Sequence, residues 1–159
     1  MTGRTPYQGR FEGTSIGDKE AVYRAFSLTK ADKLKDKKFA ILSGGEKQKI
    51  VIARAVAQTT PWMLLDEPIA SLDIKNQIEI MQTLSELNRQ EGVSVLMVLH
   101  DINLAGIYCD RLIMLKDGQV IAAGNTNECL CEENLKKLYD ISFFHMDTKK
   151  GQRYYYAEI

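Results

Sequence analysis

An excess of charge, a long apolar run and a paired set of cysteines are all missing from this sequence. Lys+Arg and Asp+Glu are both 21, so the formal net charge is +0, and electrostatics gives no reason to expect nucleic acid as a partner. Apolar runs such as Val93 to Leu99 are far too short to cross a bilayer. Three cysteines, an odd number, argue against a disulfide framework and suit a reducing compartment.

The cysteine pair Cys129 and Cys131 leaves two interpretations open. With acidic neighbours on both sides, this C-x-C could take up a soft metal ion, or its thiols could be ordinary buried side chains. Since no second cysteine pair is present to complete a tetrahedron of ligands, we favour buried thiols.

Apolar patterning predicts an α/β fold in one compact domain. Hydrophobic residues make up 45% and charged residues 26% of the 159 residues, as in ordinary globular chains. Trp62 to Leu65 and Val93 to Leu99 are short continuous apolar runs, which is typical of buried parallel strands. The helix between them is expected to bury one apolar stripe, formed by Ile74, Ile78, Met81 and Leu84.

The remaining elements are predicted from the spacing of apolar residues and from the glycine and charged residues that separate them. Residues before Asp18 are expected to be an irregular lead-in, and the charged link from Lys30 to Lys38 is expected to be a solvated surface. Asp117-Gly118 between apolar runs predicts a hairpin, and a second hairpin is expected within 142–159. Further helices are predicted over 18–28, 46–58, 102–109 and 132–139.

Paired acids at the end of the first strand are the first candidate site. Asp66 could hold Mg²⁺ through its water shell while Glu67 faces an attacking water as a base. The alternative is an acidic turn without a function. Pro68 stops the strand and fixes the turn, which favours the functional interpretation.

A histidine follows the second strand. If the two strands are parallel, His100 emerges at the same sheet edge as Glu67 and can donate a hydrogen bond to a phosphate oxygen. Taken alone, His100 would more often be a structural histidine. Its position after the paired acids favours the functional interpretation, whereas His145 has no comparable context.

Ser43-Gly44-Gly45 precedes a predicted helix. Free N–H groups, a positive dipole end and a hydroxyl would converge there on an anion. Ordinary capping by Ser43 is the alternative. The phosphate-cradling pattern G-x-x-x-x-G-K-[ST] does not occur in the 159 residues. A phosphate would therefore have to arrive on another chain or domain.

Taken together, these pieces resemble the second half of an ATP-binding-cassette (ABC) ATPase. Leu42 to Gln48 is similar to the signature motif, Met63 to Glu67 to the Walker B strand, and Ser71 to Asp73 to the D-loop. His100 matches the switch histidine. Looser similarity, in Gly3-Arg4-Thr5-Pro6-Tyr7 and from Asp101 to Gly124, is to the ATPase subunits of iron-siderophore, haem and cobalamin importers.

The resemblance implies a role for each matched residue. Glu67 would be the catalytic base, His100 would steady the γ-phosphate, and Asp66 would order Mg²⁺ through water. Asp73 would report across a dimer interface. Binding of ATP held by the opposite subunit would fall to Ser43, Gly44, Gly45 and Gln48.

The resemblance also implies an incomplete fold. We expect the C-terminal half of a P-loop NTPase, with residues 1–60 as a helical subdomain portion, 61–140 as a partial RecA-like core and 141–159 as a tail. The Walker A half is expected to be missing by N-terminal truncation, and Gln8 does not replace the family's glutamine loop. The phosphate-loop strand would lie between the strand ending at His100 and the one at Arg111 to Leu115, so apolar strand edges should be left open.

Function and partners follow as expectations. The chain would be part of the ATP-binding subunit of an importer of metal chelates, with ATP and Mg²⁺ as cofactors, and inactive by itself. Its expected partners are a sister ATPase chain or the missing N-terminal half, together with membrane permease subunits, in a dimer or oligomer. The expected location is cytoplasmic, at the inner face of the cell membrane. The alternatives are a non-transport ABC ATPase and a non-enzymatic fragment that modulates an intact ATPase.

Overall fold

The computed structural model describes residues 15–149 and 151–158. Most of the expected lead-in, including Gly3-Arg4-Thr5-Pro6-Tyr7 and Gln8, therefore lies outside the described residues. Helices and strands alternate, so the α/β prediction is confirmed. The elements are α1 Ile16–Leu28, α2 Gly44–Val56, β1 Trp62–Leu65, α3 Ile74–Glu91, β2 Ser94–Met97, α4 Ile102–Tyr108, β3 Arg111–Lys116, β4 Gln119–Asn125, α5 Thr126–Cys129, α6 Glu132–Tyr139, β5 Phe143–Asp147 and β6 Arg153–Ala157.

Contacts divide the chain into two compact units. The first unit ends at Val98 and contains α1 to β2, and the second begins at Leu99 and contains α4 to β6. Helix α2, which begins within the expected signature motif, thus lies in the same unit as the parallel strands β1 and β2. The division into 1–60, 61–140 and 141–159 stays a prediction.

Small side chains let α1 and α2 approach each other closely in the first unit. Ala25 of α1 and Ala53 of α2 are both 0% exposed, as is Ala57 just past α2. Val22 and Val56 pack around them. Both helices begin with a capping box, in which a serine side chain accepts from the N–H three residues on. The helices predicted over 18–28 and 46–58 are thus present as α1 and α2.

The buried face of α3 differs from the predicted stripe. Met81 and Leu84 are buried as expected, but Ile74 is 75% exposed and Ile78 is 38% exposed. The face that packs inward instead consists of Ile80, Met81, Thr83, Leu84 and Leu87. Ile74 is the first residue of the helix, next to the loop from β1, so periodicity alone assigned it to the wrong side.

Strands β1 and β2 pair in parallel, with Leu64 opposite Leu96. The parallel pairing was predicted, but the expected burial was wrong: Trp62 is 62%, Leu64 74% and Leu96 51% exposed. Alternate residues of paired strands share a face, and this apolar face is not covered by the described residues. Among the described residues, the two strands form a two-stranded sheet of their own.

The second unit is built on two hairpins. Strands β3 and β4 are joined at Asp117 and Gly118, whose φ values of 50° and 74° fit the two-residue turn that favours Asp-Gly. The predicted terminal hairpin is present as β5 paired with β6. Between them lies a core of Met114, Cys129, Leu130, Leu135 and Tyr155.

Cys129 is 4% exposed and belongs to this core, which agrees with the buried-thiol interpretation. Cys131 is half-buried beside it. Among the described helices, none is long and apolar enough to span a membrane.

Two isoleucines of α3 test which face of this helix carries the stability. Ile80→Ala removes a side chain that is 0% exposed, whereas Ile74→Ala makes the same change at a side chain that is 75% exposed. We expect Ile80→Ala to lower the free energy of unfolding by about 2–5 kcal/mol and Ile74→Ala to change it by less than about 0.5 kcal/mol. Urea unfolding followed by circular dichroism measures both, and equal losses would contradict the observed packing.

Candidate functional site

The start of α2 has the features of an anion site. Ser43 is the N-cap: its Oγ accepts from the Glu46 N–H at 3.3 Å, and Glu46 Oε2 accepts from the Ser43 N–H at 2.9 Å. In the described part of the chain, the N–H groups of Gly44 and Gly45 make no hydrogen bond. Capping and anion binding are therefore compatible, because the cap uses other donors than the N–H groups of Gly44 and Gly45.

One acidic side chain lies close to this helix start. The pKa of Glu46 is lowered, first by its hydrogen bond from the Ser43 backbone and then by the Lys37 ammonium, whose Nζ lies 2.9 Å from Glu46 Oε1. Glu46 is thus ionised at neutral pH. Lys37 offsets the repulsion that this carboxylate would exert on a bound phosphate.

The signature glycines contact the start of α3. A Cβ on Gly45 would lie 2.3 Å from Asn76 Oδ1 and 2.5 Å from Asn76 Cγ, whereas one on Gly44 would meet Leu72 Cδ2 at 3.5 Å. Gly45 lies in α2 without a positive φ, so a side chain there is disfavoured by lack of space: the Asn76 side chain would have to shift to admit it. The signature motif therefore packs directly against the D-loop and the helix that follows it.

Asp73 holds the residue that Gly45 contacts. Its Oδ1 accepts from the Asn76 N–H at 2.9 Å and its Oδ2 from Asn76 Nδ2 at 2.7 Å. These bonds lower the pKa of Asp73 and fix the side chain of Asn76. Asp73, assigned from sequence to interface communication, has in this structure the local role of capping α3.

Asp66 and Glu67 are exposed in the turn that follows β1. Pro68 and Ile69 are buried and anchor this turn. The Ala70 N–H donates to the Glu67 carbonyl at 3.1 Å, and the backbone of Glu67 has a φ of 44°. A non-glycine residue in the left-handed region costs on the order of 1–3 kcal/mol, so the surrounding turn holds Glu67 in a conformation that it would not adopt by itself.

His100 belongs to the second unit and is exposed. It directly precedes Asp101, the N-cap of α4, whose Oδ1 accepts from the N–H groups of Asn103 and Leu104. Gln48 lies half-buried in α2. The structure thus brings the signature motif and the D-loop together within the first unit and places the histidine at the beginning of α4.

Sequence reasoning missed Lys37 and Asn76. Lys37 was assigned to a solvated charged link, and its place beside Glu46 depends on how the chain approaches α2. Asn76 had a local signal, because it stands three residues after the capping Asp73. Its contact with Gly45 crosses from one helix to another and has no sequence signal.

With this geometry in view, comparison with known proteins assigns the fold to a family. Residues 5–70 match the family model described as ABC transporter. The chain is 40% identical over 145 residues to the ferric enterobactin transport ATP-binding protein FepC of Escherichia coli (strain K12), which covers 91% of this chain and 54% of that protein. The chain belongs to the ABC transporter family.

Other relatives and a solved structure agree with this assignment. The siderophore transport ATP-binding protein YusV of Bacillus subtilis (strain 168) is 40% identical over 88% of this chain and 51% of that protein. The solved structure described as "an inward-facing conformation of a putative metal-chelate type ABC transporter" matches with a TM-score of 0.93 and 26% identity, over 99% of this chain and 64% of that one. The chain spans about half the length of the curated relatives it matches.

The two signature glycines provide a matched pair for testing the contact between α2 and α3. Gly45→Ala forces Asn76 away from Asp73, so we expect a loss of stability, while Gly44→Ala has room and should leave stability unchanged or raise it by up to about 1 kcal/mol. Thermal unfolding measures both. Adding Asn76→Ala to Gly45→Ala should recover part of the loss. Equal effects of the two single substitutions would show that the close approach is not present in solution.

Proposed function

We propose that this chain is part of the ATP-binding subunit of an ABC importer for a metal chelate of the iron-siderophore, haem or cobalamin class. The observation that supports the proposal is the close approach of the signature glycines to the D-loop and to the start of α3, where Asp73 holds the Asn76 side chain that Gly45 contacts. The names of the relatives, which transport ferric enterobactin and other siderophores, support the substrate class.

The residues at the start of α2 suit the terminal phosphate of a nucleotide. The N–H groups of Gly44 and Gly45, which make no hydrogen bond among the described residues, lie at the positive end of α2 and suit the γ-phosphate of ATP held by a sister ATPase chain. Ser43 keeps its hydroxyl proton for a phosphate oxygen, because its Oγ acts as an acceptor in the cap. Gln48, on the same helix, is assigned to this nucleotide-binding surface.

Asp66 and Glu67 fit the magnesium and water side of the same site. Mg²⁺ prefers oxygen ligands and retains several waters, and the Asp66 carboxylate is exposed and able to hold such a hydrated ion. No group of three metal-binding side chains occurs among the described residues, so phosphate oxygens and water would have to complete the coordination.

ATP, when bound, supplies a phosphoryl group whose transfer to water provides the energy for transport. In this proposal, Glu67 accepts the proton of the attacking water, and the turn with its strained backbone aims the carboxylate. His100 donates a hydrogen bond to a phosphate oxygen. The chain would act at the cytoplasmic side of the membrane, bound to permease subunits, as half of an ATPase dimer.

The 159-residue polypeptide by itself is expected to hydrolyse no ATP. Most of the binding affinity for a nucleotide comes from the backbone and lysine of the phosphate loop. The pattern of that loop, G-x-x-x-x-G-K-[ST], does not occur in the 159 residues. Phosphate release from Mg-ATP measures it. Turnover that Glu67→Gln abolishes would contradict the prediction.

The second test supplies the N-terminal half of a complete relative in trans. We expect ATP hydrolysis to appear. Glu67→Gln should reduce the rate by about 10²-fold or more with ATP binding retained, because the substitution removes a base and leaves the phosphate contacts. Ser43→Arg should abolish hydrolysis by filling the phosphate position at the helix start.

Matched exposed substitutions on α1 serve as controls. Glu20→Gln and Ser27→Arg make the same chemical changes on the surface of the first unit and should leave hydrolysis unaltered. Full activity with both site substitutions would refute the assigned roles, and a mixture without any hydrolysis would refute the proposed function of this chain.

A further inference from the structure

An asparagine of α4 pairs with the terminal hairpin as a neighbouring strand would. The Tyr155 N–H of β6 donates to Asn103 Oδ1 at 2.8 Å, and Asn103 Nδ2 donates to the Tyr155 carbonyl at 3.2 Å. One side-chain amide thus satisfies both backbone polar groups of Tyr155. We call this pair of hydrogen bonds the α4 clasp.

The residue held by the α4 clasp is itself firmly placed. Tyr155 is 4% exposed, and its hydroxyl donates to the Leu130 carbonyl. On its other side β6 pairs with β5, where Tyr155 lies opposite His145. Because the ring, the hydroxyl and the backbone of Tyr155 are all engaged, this residue offers α4 a fixed point of attachment.

Asn103, which forms the α4 clasp, stands close in sequence to His100, the residue that matches the switch histidine. The N–H of Asn103 donates to Asp101 Oδ1 at 2.8 Å, and Asp101 directly follows His100. Helix α4 has seven residues, Ile102–Tyr108. An isolated helix of this length is unstable in water, so the conformation of its first turn depends on these tertiary bonds.

We propose that Asn103 is the positioning residue for His100, and that the terminal hairpin braces the switch histidine through the α4 clasp. This inference rests on the proposed role of His100 in phosphate contact. Without the α4 clasp the first turn of α4 frays, and His100 must then be ordered at the moment of reaction, which raises the barrier to hydrolysis. Asn103 itself touches neither nucleotide nor metal.

A purely structural role of Asn103 predicts something different. If the α4 clasp only holds the hairpin in place, its loss should lower the stability of the second unit and leave His100 unaffected. Asn134 provides the matched control: it too is a partly buried asparagine of the second unit that donates to a backbone carbonyl, that of Cys129, at 2.8 Å. It makes no contact with α4 among the bonds of the described residues.

The first measurement needs no catalytic activity. The sequence has only two histidines, so the ring carbon signals of ¹³C-labelled histidine can be assigned with a single His145→Gln variant. We expect Asn103→Ala to shift the His100 signal towards that of an unstructured histidine, and Asn134→Ala to leave it in place. An unchanged His100 signal in Asn103→Ala would overturn the proposal. If Asn103→Ala fails to fold, Asn103→Asp, which keeps the acceptor for the Tyr155 N–H, should show a smaller shift in the same direction.

The second measurement uses the chain reconstituted with an N-terminal half. Asn103→Ala should lower kcat about tenfold with KM unchanged, and should cause no further loss in a His100→Ala background. Additive losses in the double variant would overturn the proposal. If the reconstituted mixture shows no hydrolysis, the proposed function fails, and the histidine signal still decides whether Asn103 positions His100.

Discussion

Close approach of Gly45 to Asn76 is the constraint on which the organisation of the first unit depends. The missing Cβ leaves space for an amide group that Asp73 holds through two hydrogen bonds. Because interiors and interfaces are close-packed, a gap or clash of one carbon atom at this point would move one helix start relative to the other. The positive end of α2 and the cap of α3 are therefore positioned by the same small contact.

The residues that cap α2 and α3 have a structural task and, in the proposal, also a functional one. Ser43 and Asp73 both satisfy backbone donors at a helix start, which is a local and structural task. The same caps do not use the N–H groups of Gly44 and Gly45, which the proposal assigns to a phosphate held by another chain. Lys37 compensates the carboxylate of Glu46, which the capping box requires and a phosphate would disfavour.

In the second unit, the short helix α4 likewise depends on a few specific hydrogen bonds. Helix α4 is too short to be stable without support; the histidine directly precedes its N-cap Asp101, and its first turn carries the α4 clasp. A terminal hairpin that touches no assigned ligand group thereby gains a functional role in the proposal. In the first unit, the described residues leave the apolar sheet face of Trp62, Leu64 and Leu96 largely exposed.

Local chemistry in the sequence determined most of the secondary structure and the family. Capping boxes, the Asp117-Gly118 turn and the motif order are local patterns, so they could be read without a structure. Tertiary structure decided which face of α3 is buried, why Gly45 must lack a side chain and what Asn103 does, since its partner Tyr155 lies 52 residues away. Periodicity reports which residues share a face, but only the neighbouring elements determine whether that face is covered.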